Sequence, residues 1–131
     1  MFDWKKPTVE MLGRWQPWHK GHTELFKKAL KKTGQVCIMY RDVGGVDAGL
    51  DGQSDNPFHF EEVKKNIIEG LSKYGFIEGK EYIVKKVPNI IDISYGRGVG
   101  YSFTEHDLGE DIHKISATNI RKDMRDKGNL K

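Results

Sequence analysis

The chain alternates short apolar runs with amphipathic stretches of helical period, and this order of elements limits its fold more than any other feature. An apolar run, then a helix, then another apolar run is typical of a parallel sheet with crossover helices. We therefore expect an α/β protein with a Rossmann-like three-layer α/β/α arrangement and a mostly parallel sheet. The predicted strands are residues 8–13, 35–40 and 81–87, and the predicted helices are residues 22–32, a segment that opens at Pro57, and residues 116–126.

Four features of this pattern carry further expectations. Residues 90–95 are predicted as a fourth strand, and residues 41–56, rich in glycine and aspartate, as a surface loop whose length suggests a function. Glu10 lies in the middle of the first strand, so either it is paired or that face of the sheet is less buried than in a doubly covered sheet. Cys37 lies in the apolar second strand and is expected to be a buried free thiol.

Composition favours a globular protein without a membrane or nucleic-acid partner. The 131 residues are 37% hydrophobic and 31% charged, and we expect them to form a single domain over residues 1–131. The net charge of +3 is mild, and no apolar stretch approaches the ~20 residues of a membrane span. One cysteine cannot form an intrachain disulfide, which fits a reducing compartment. We expect a cytoplasmic protein, and a homodimer is possible.

The segment at positions 13–22 carries the strongest functional signal: Gly-Arg-Trp-Gln-Pro-Trp-His-Lys-Gly-His. His19 and His22 bracket Gly21 where the first strand gives way to a helix. Imidazole nitrogens and the free N–H groups of a helix start then converge on one small volume, which suits phosphate. Two histidines without a nearby cysteine or carboxylate supply too few ligands for zinc, so no metal site is predicted.

This segment resembles the H-x-G-H element of the nucleotidyltransferase superfamily, in its longer G-R-[FW]-Q-P-[FW]-H-x-G-H form. Residues 115–121, Ile-Ser-Ala-Thr-Asn-Ile-Arg, resemble the I-S-x-T-x-[IL]-R motif of the same superfamily. In the family, the hydroxyls, the helix N-terminus and the arginine of this second motif hold the β- and γ-phosphates. The two elements occur in the family's order, which makes the resemblance more specific than either motif alone.

The resemblance implies a role for nine residues, and two more, Arg41 and Arg97, are expected from their positions. The expected catalytic residues are His19, His22 and Arg121. The expected nucleotide-binding residues are Gly13, Arg14, Trp15, Gly21, Arg41, Arg97, Ser116 and Thr118. Arg41 and Arg97 are expected to contribute positive charge, because they lie near predicted strand ends. Trp15 is expected to pack the loop, with stacking on a base as the alternative. Mg²⁺ is the expected cofactor, bound mainly through the triphosphate.

The implied activity is transfer of a nucleoside monophosphate from an NTP to a small, phosphorylated acceptor, with release of pyrophosphate. The Gly-Arg-Trp-Gln-Pro-Trp-His form, together with Asp-Asn-Pro-Phe at residues 55–58, looks like the nicotinamide mononucleotide adenylyltransferases and favours ATP. The compact length looks more like the glycerol-3-phosphate cytidylyltransferases and favours CTP. A nucleotide-binding sensor or assembly subunit with the same fold is the alternative from another functional class.

Overall fold

The computed structural model describes residues 1–44, 56–97, 100–106, 108 and 117–128, without the side chains of residues 117–119 and 123. Strands and helices alternate in the expected order from β1 to β3, and a helix follows near the C-terminal end. The strands are β1 (Val9–Gly13), β2 (Val36–Arg41) and β3 (Tyr82–Val87), and the helices are α1 (Lys20–Thr33), α2 (Phe60–Ser72) and α3 (Ala117–Asp126).

The three strands form a parallel sheet in the order β1-β2-β3. Val36 pairs with Val9 on one side and with Tyr82 on the other, and this register brings the carboxyl ends of all three strands to one edge. The parallel sheet with crossover helices confirms the expected Rossmann-like α/β class.

The core lies on one face of this sheet. The alternate β2 residues Val36, Ile38 and Tyr40 are fully buried, as the period of two in a strand requires. Phe26 of α1 and Ile67 of α2 belong to the same buried cluster, so both helices pack on this face. Right-handed crossovers that step in one direction across a sheet give this result. Helices on the second face remain a prediction, since the described crossover helices share the first.

The opposite face explains the position of Glu10. Its side chain is exposed, and Cys37, its register partner on β2, is only half-buried rather than buried as the sequence suggested. Burial raises the pKa of the Cys37 thiol, Glu10 raises it further, and Lys85 lowers it. Glu10 therefore needs no buried partner, because its face of the sheet is the less covered one.

Both crossover helices begin at positions different from those predicted. Helix α1 begins at Lys20 instead of residue 22, because His19 acts as its N-cap. The sequence did not predict this start, since the usual N-cap residues are Ser, Thr, Asp and Asn. Helix α2 begins at Phe60 instead of Pro57, and its N-cap His59 has extended backbone. Gly34 ends α1 in the left-handed conformation (φ 84°), which glycine adopts readily at the end of a helix.

The predicted fourth strand is wrong. Residues 90–95 have no strand partner, and Ile91, Ile93 and Tyr95 are exposed. Two residues separate this segment from β3, whereas a parallel crossover needs a dozen or more. Most of the predicted 41–56 loop, residues 45–55, lies outside the described part of the chain. No described helix is long and apolar enough to cross a membrane.

Candidate active site

His19 and His22 together cap the N-terminus of α1. The Nδ1 atom of His19 accepts a hydrogen bond from the backbone N–H of Gly21 at 3.0 Å. The Nδ1 atom of His22 accepts one from the backbone N–H of His19 at 3.1 Å. This is the reciprocal arrangement of a capping box, built from two imidazoles in place of a hydroxyl and a carboxylate.

These two bonds assign the tautomer of each ring. A neutral imidazole carries one proton, and an Nδ1 atom that accepts a hydrogen bond leaves that proton on Nε2. The rings of His19 and His22 stack, with centroids 3.7 Å apart and planes 20° from parallel. Two Nε2–H donors therefore come from one pair of stacked rings at the start of a helix.

Burial keeps both rings neutral. It lowers the pKa of His19, and it lowers the pKa of His22 to about 3, with a further contribution from the nearby charge of His19. At neutral pH the pair thus donates hydrogen bonds without adding positive charge. Positive charge must come from the helix terminus and from arginines.

Two tryptophan side chains pack against the ring of His22. The indole of Trp15 meets it edge-on with centroids 4.8 Å apart, and the indole of Trp18 lies at 5.3 Å. The Nε1–H of Trp18 donates to the hydroxyl of Thr23 at 2.9 Å, which ties this ring to α1. Both tryptophans are buried, in agreement with the packing role expected from the sequence.

Trp15 has an unusual backbone conformation. Its φ of 51° lies in the left-handed region, which costs a non-glycine residue roughly 1–2 kcal/mol. The conformation places the indole over Gly13, where an added Cβ atom would lie 2.8 Å from the ring, and lets Nε1–H donate to the carbonyl of Met39 at 3.1 Å. Gly13 is therefore required by the close approach of this ring. Strain of this kind tends to occur at functional sites.

Residues 14–19, between β1 and α1, form the histidine loop. Gln16 joins this loop to the segment before α2. Its side chain is fully buried; Nε2 donates to the carbonyl of Phe58 at 2.8 Å, and Oε1 accepts from the N–H of Phe58 at 2.9 Å. Nε2 also donates to the carbonyl of Arg14 at 3.2 Å. Because these bonds engage both backbone groups of Phe58, this residue is held outside the helix, and α2 begins two residues later at Phe60.

Arg14 and Asn56 lie beside this connection. The Nη1 atom of Arg14 donates to Oδ1 of Asn56 at 3.1 Å, across 42 positions of sequence. Asn56 is buried, with 4% of its surface exposed, while Arg14 is half-buried. The Arg14 side chain thus has a defined position just beyond the carboxyl end of β1.

Arg121 of α3 reaches the same loop from the other end of the sequence. Its Nη1 atom donates to the backbone carbonyl of Gln16 at 2.6 Å, and 3% of the residue is exposed. The contact joins positions 105 residues apart. The structure therefore brings Arg121 to the histidine loop.

The other predicted residues divide into three groups. Gly21 is buried in the first turn of α1 and donates to His19. Arg41 donates to the carbonyl of Ile90 at 3.5 Å, and Arg97 is exposed; among the described contacts, neither touches the histidines. Ser116 lies outside the described residues, as does the side chain of Thr118, whose backbone belongs to α3.

Sequence reasoning missed the parts played by Gln16 and Asn56. Both are neutral amides that the structure buries at the carboxyl end of β1. Asn56 stands in the Asn-Pro-Phe triplet noticed for its resemblance, and Gln16 stands inside the 13–22 segment itself. The available signal was the presence of two amide residues in two matched motifs; the contacts of Gln16 with Phe58 and of Asn56 with Arg14, each across 42 positions, were not readable.

Comparisons with known proteins find similarity to one kind of enzyme. Over 67 residues, half of the chain, the sequence is 34% identical to a nicotinamide-nucleotide adenylyltransferase of Methanococcus aeolicus. Over 28 residues it is 50% identical to a protein of the same name from Methanococcus maripaludis. The matched regions span 36% and 16% of those proteins' lengths. No family model and no solved structure matches.

Proposed function

We propose that this chain, a relative of the nucleotidyltransferase superfamily, moves a nucleoside monophosphate from ATP or CTP to a small, phosphorylated acceptor and releases pyrophosphate. The observation that carries the proposal is the stacked pair of neutral histidines, whose Nε2–H donors stand at the N-terminus of α1. The similarity to adenylyltransferases over half of the chain supports nucleotidyl transfer in general.

The histidine pair suits the α- and β-phosphates. An acceptor oxygen attacks the α-phosphorus in line, the bond from that phosphorus to the bridging oxygen breaks, and pyrophosphate leaves with the bond's electron pair. Negative charge then grows on the non-bridging and leaving oxygens, and preorganised N–H donors lower the barrier. His19 and His22 donate there, and the N-terminal dipole of α1 adds partial positive charge.

Arg14 and Arg121 supply full positive charge around this pair. Each guanidinium offers a planar fork that matches phosphate oxygens; that of Arg14 donates to Asn56, and that of Arg121 donates to the backbone carbonyl of Gln16. In this mechanism Arg121 holds the departing pyrophosphate, together with the hydroxyls of Ser116 and Thr118. No covalent enzyme intermediate is required, and Cys37, on the less covered face of the sheet, takes no part.

Mg²⁺ enters this mechanism with the nucleotide. The described residues contain no cluster of three His, Cys, Asp or Glu side chains that could hold a metal ion. Because both histidine Nδ1 atoms already accept hydrogen bonds, the pair is built for donation. We expect Mg²⁺ to be held mainly by triphosphate oxygens and water, the ligands it prefers, and there it would neutralise charge on the phosphates.

Asparagine substitutions separate the capping role of each histidine from its catalytic role. In His19→Asn and His22→Asn, Oδ1 can replace Nδ1 as the acceptor, so the helix cap is kept, while the Nε2–H donor is lost. We expect the fold to persist and turnover to fall by at least ~10²-fold, the scale of losing one preorganised donor. Pyrophosphate release measures turnover, and circular dichroism measures the fold.

His59→Asn is the matched control. His59 is the N-cap of α2, but its side chain makes no capping bond and is exposed. The same substitution there is expected to leave turnover unchanged. Near-normal turnover in both His19→Asn and His22→Asn would rule out the proposed function.

The base, the acceptor and the sensor alternative are resolved by two measurements. Thermal shift with ATP, CTP, GTP and UTP identifies the base by the largest rise in Tm. Pyrophosphate release with that NTP and a panel of acceptors, nicotinamide mononucleotide and glycerol 3-phosphate first, then identifies the acceptor. Binding of an NTP without pyrophosphate release for any acceptor would favour the non-catalytic sensor.

A further inference from the structure

Hydrogen bonds hold the segment at residues 56–58 against the histidine loop and fix the position of each of its ends. Gln16 engages both backbone groups of Phe58, and Arg14 donates to Asn56 at 3.1 Å. The Tyr40 hydroxyl adds a weaker bond to the carbonyl of Phe58 at 3.4 Å. The position of Asn56 is therefore set by groups on β1's loop and on β2.

The chemistry of the Arg14 partner is informative. Asn56 is 4% exposed and offers a neutral amide oxygen to the guanidinium. The ion pairs found among the described residues are Lys27 with Glu24 and Lys80 with Glu81, both away from this loop. A carboxylate at position 56 would hold the guanidinium more strongly, but it would also cancel much of the charge that an anion needs. An amide holds the side chain and leaves its charge available.

We propose that Asn56 is a positioning residue, which holds the Arg14 guanidinium for a nucleotide triphosphate without itself adding a negative charge beside it. The inference rests on the proposed function and deepens it, because it extends the nucleotide site to the segment before α2. Asn56 acts through Arg14 and does not touch the reacting phosphates.

The substitution Asn56→Asp tests this idea, because it changes one atom and keeps an acceptor oxygen for Arg14. If Asn56 serves only the fold, Asn56→Asp alters the free energy of unfolding at most and leaves Kd unchanged. If it positions a charged Arg14 for phosphate, Asn56→Asp folds normally but its Kd for the preferred MgNTP rises by about 10-fold. Isothermal titration measures Kd, and urea unfolding measures the fold.

Two comparisons make the result specific. Gln35→Glu is the matched control: Gln35 is also a buried amide, but it binds Asp3, Lys6 and Thr8 at the amino end of the sheet. This control adds the same charge far from the site and is expected to leave Kd unchanged. In an Arg14→Ala background, Asn56→Asp is expected to have no further effect on Kd, because the group through which it acts is gone.

The outcomes distinguish this inference from the proposed function. Wild-type Kd in a folded Asn56→Asp variant overturns the inference alone, and so does an equal loss of affinity in the Arg14→Ala background. If Asn56→Asp fails to fold, Asn56→Ser, which keeps a shorter neutral acceptor, takes its place: retained Kd there overturns the inference, and a Kd raised only when Arg14 is present supports it. Absence of any NTP binding by the wild-type chain overturns both proposals.

Discussion

Because the folded chain holds the His22 ring neutral, the free energy of unfolding is expected to depend on pH. The pKa of His22 falls from its ordinary value of 6.5 to about 3 in the folded chain. A lowered folded-state pKa means that the unfolded chain binds more protons between these two values, so stability rises with pH there. The contribution is fully present above pH 6.5 and is lost as the pH falls towards 3.

The size of the effect follows from one pKa unit being worth about 1.4 kcal/mol. Between pH 7 and pH 5, His22 alone should remove about 2 kcal/mol from the free energy of unfolding, out of the roughly 5–15 kcal/mol typical of a domain. Burial also lowers the pKa of His19, which adds a loss of the same sign. The imidazole is half-buried against two indole rings, so solvent screening is limited.

Urea unfolding at pH 7 and pH 5 measures the loss, with His22→Asn as the reference. This variant keeps an acceptor for the N–H of His19 but has no titrating group. Carboxylates contribute equally to both proteins and cancel in the comparison. We expect the wild-type protein to lose about 2 kcal/mol more than His22→Asn. An equal loss in the two proteins would show that the His22 ring is not held neutral, and the reasoning about its Nε2–H donor would fail.

Three further substitutions test the packing around the site. Gly13→Ala places a Cβ atom 2.8 Å from the Trp15 indole and is expected to lower the free energy of unfolding by about 1–3 kcal/mol; an unchanged urea midpoint would contradict this close approach. Gln16→Glu sets a carboxylate oxygen against the carbonyls of Arg14 and Phe58, and a loss of about 2–3 kcal/mol at pH 7 should shrink as the pH falls towards 4; a loss independent of pH would argue against this pairing. Gly34→Ala forces a Cβ into φ 84° with open space around it, so the cost is about 1 kcal/mol from backbone strain and should be smaller for Gly34→Asn; equal thermal midpoints for the two variants would refute the assignment to backbone strain.

The order of strands and helices and the two ends of α1 show which features of the fold local sequence patterns predict. The order strand, helix, strand, helix, strand was readable because apolar period and glycine position act locally, as at Gly34. The start of α1 was not readable to the residue, since imidazole caps are outside the usual preferences. The start of α2 depended on hydrogen bonds from Gln16, which lies 42 positions away from Phe58.

The less covered sheet face and the absence of a strand at residues 90–95 also depended on tertiary structure and not on local sequence. Alternation at Ile91, Ile93 and Tyr95 satisfied the pattern of a strand, but a strand also needs a partner within reach. Glu10 looked anomalous only under the assumption that both faces are covered. Which face the crossover helices cover is a property of chain handedness and strand order, and a local sequence window contains neither.

For the candidate site, the sequence alone predicted which residue types would meet phosphate and in what order along the chain, because the histidine segment and the final arginine keep recognisable spacing. Folding decided how they act: one imidazole pair became a reciprocal cap with Nε2–H donors, and Arg121 came to rest on the carbonyl of Gln16. The physical reason is distance along the chain. Hydrogen bonds within three residues leave a trace in local composition, whereas contacts across 42 or 105 residues exist only once the sheet has brought the strand ends together.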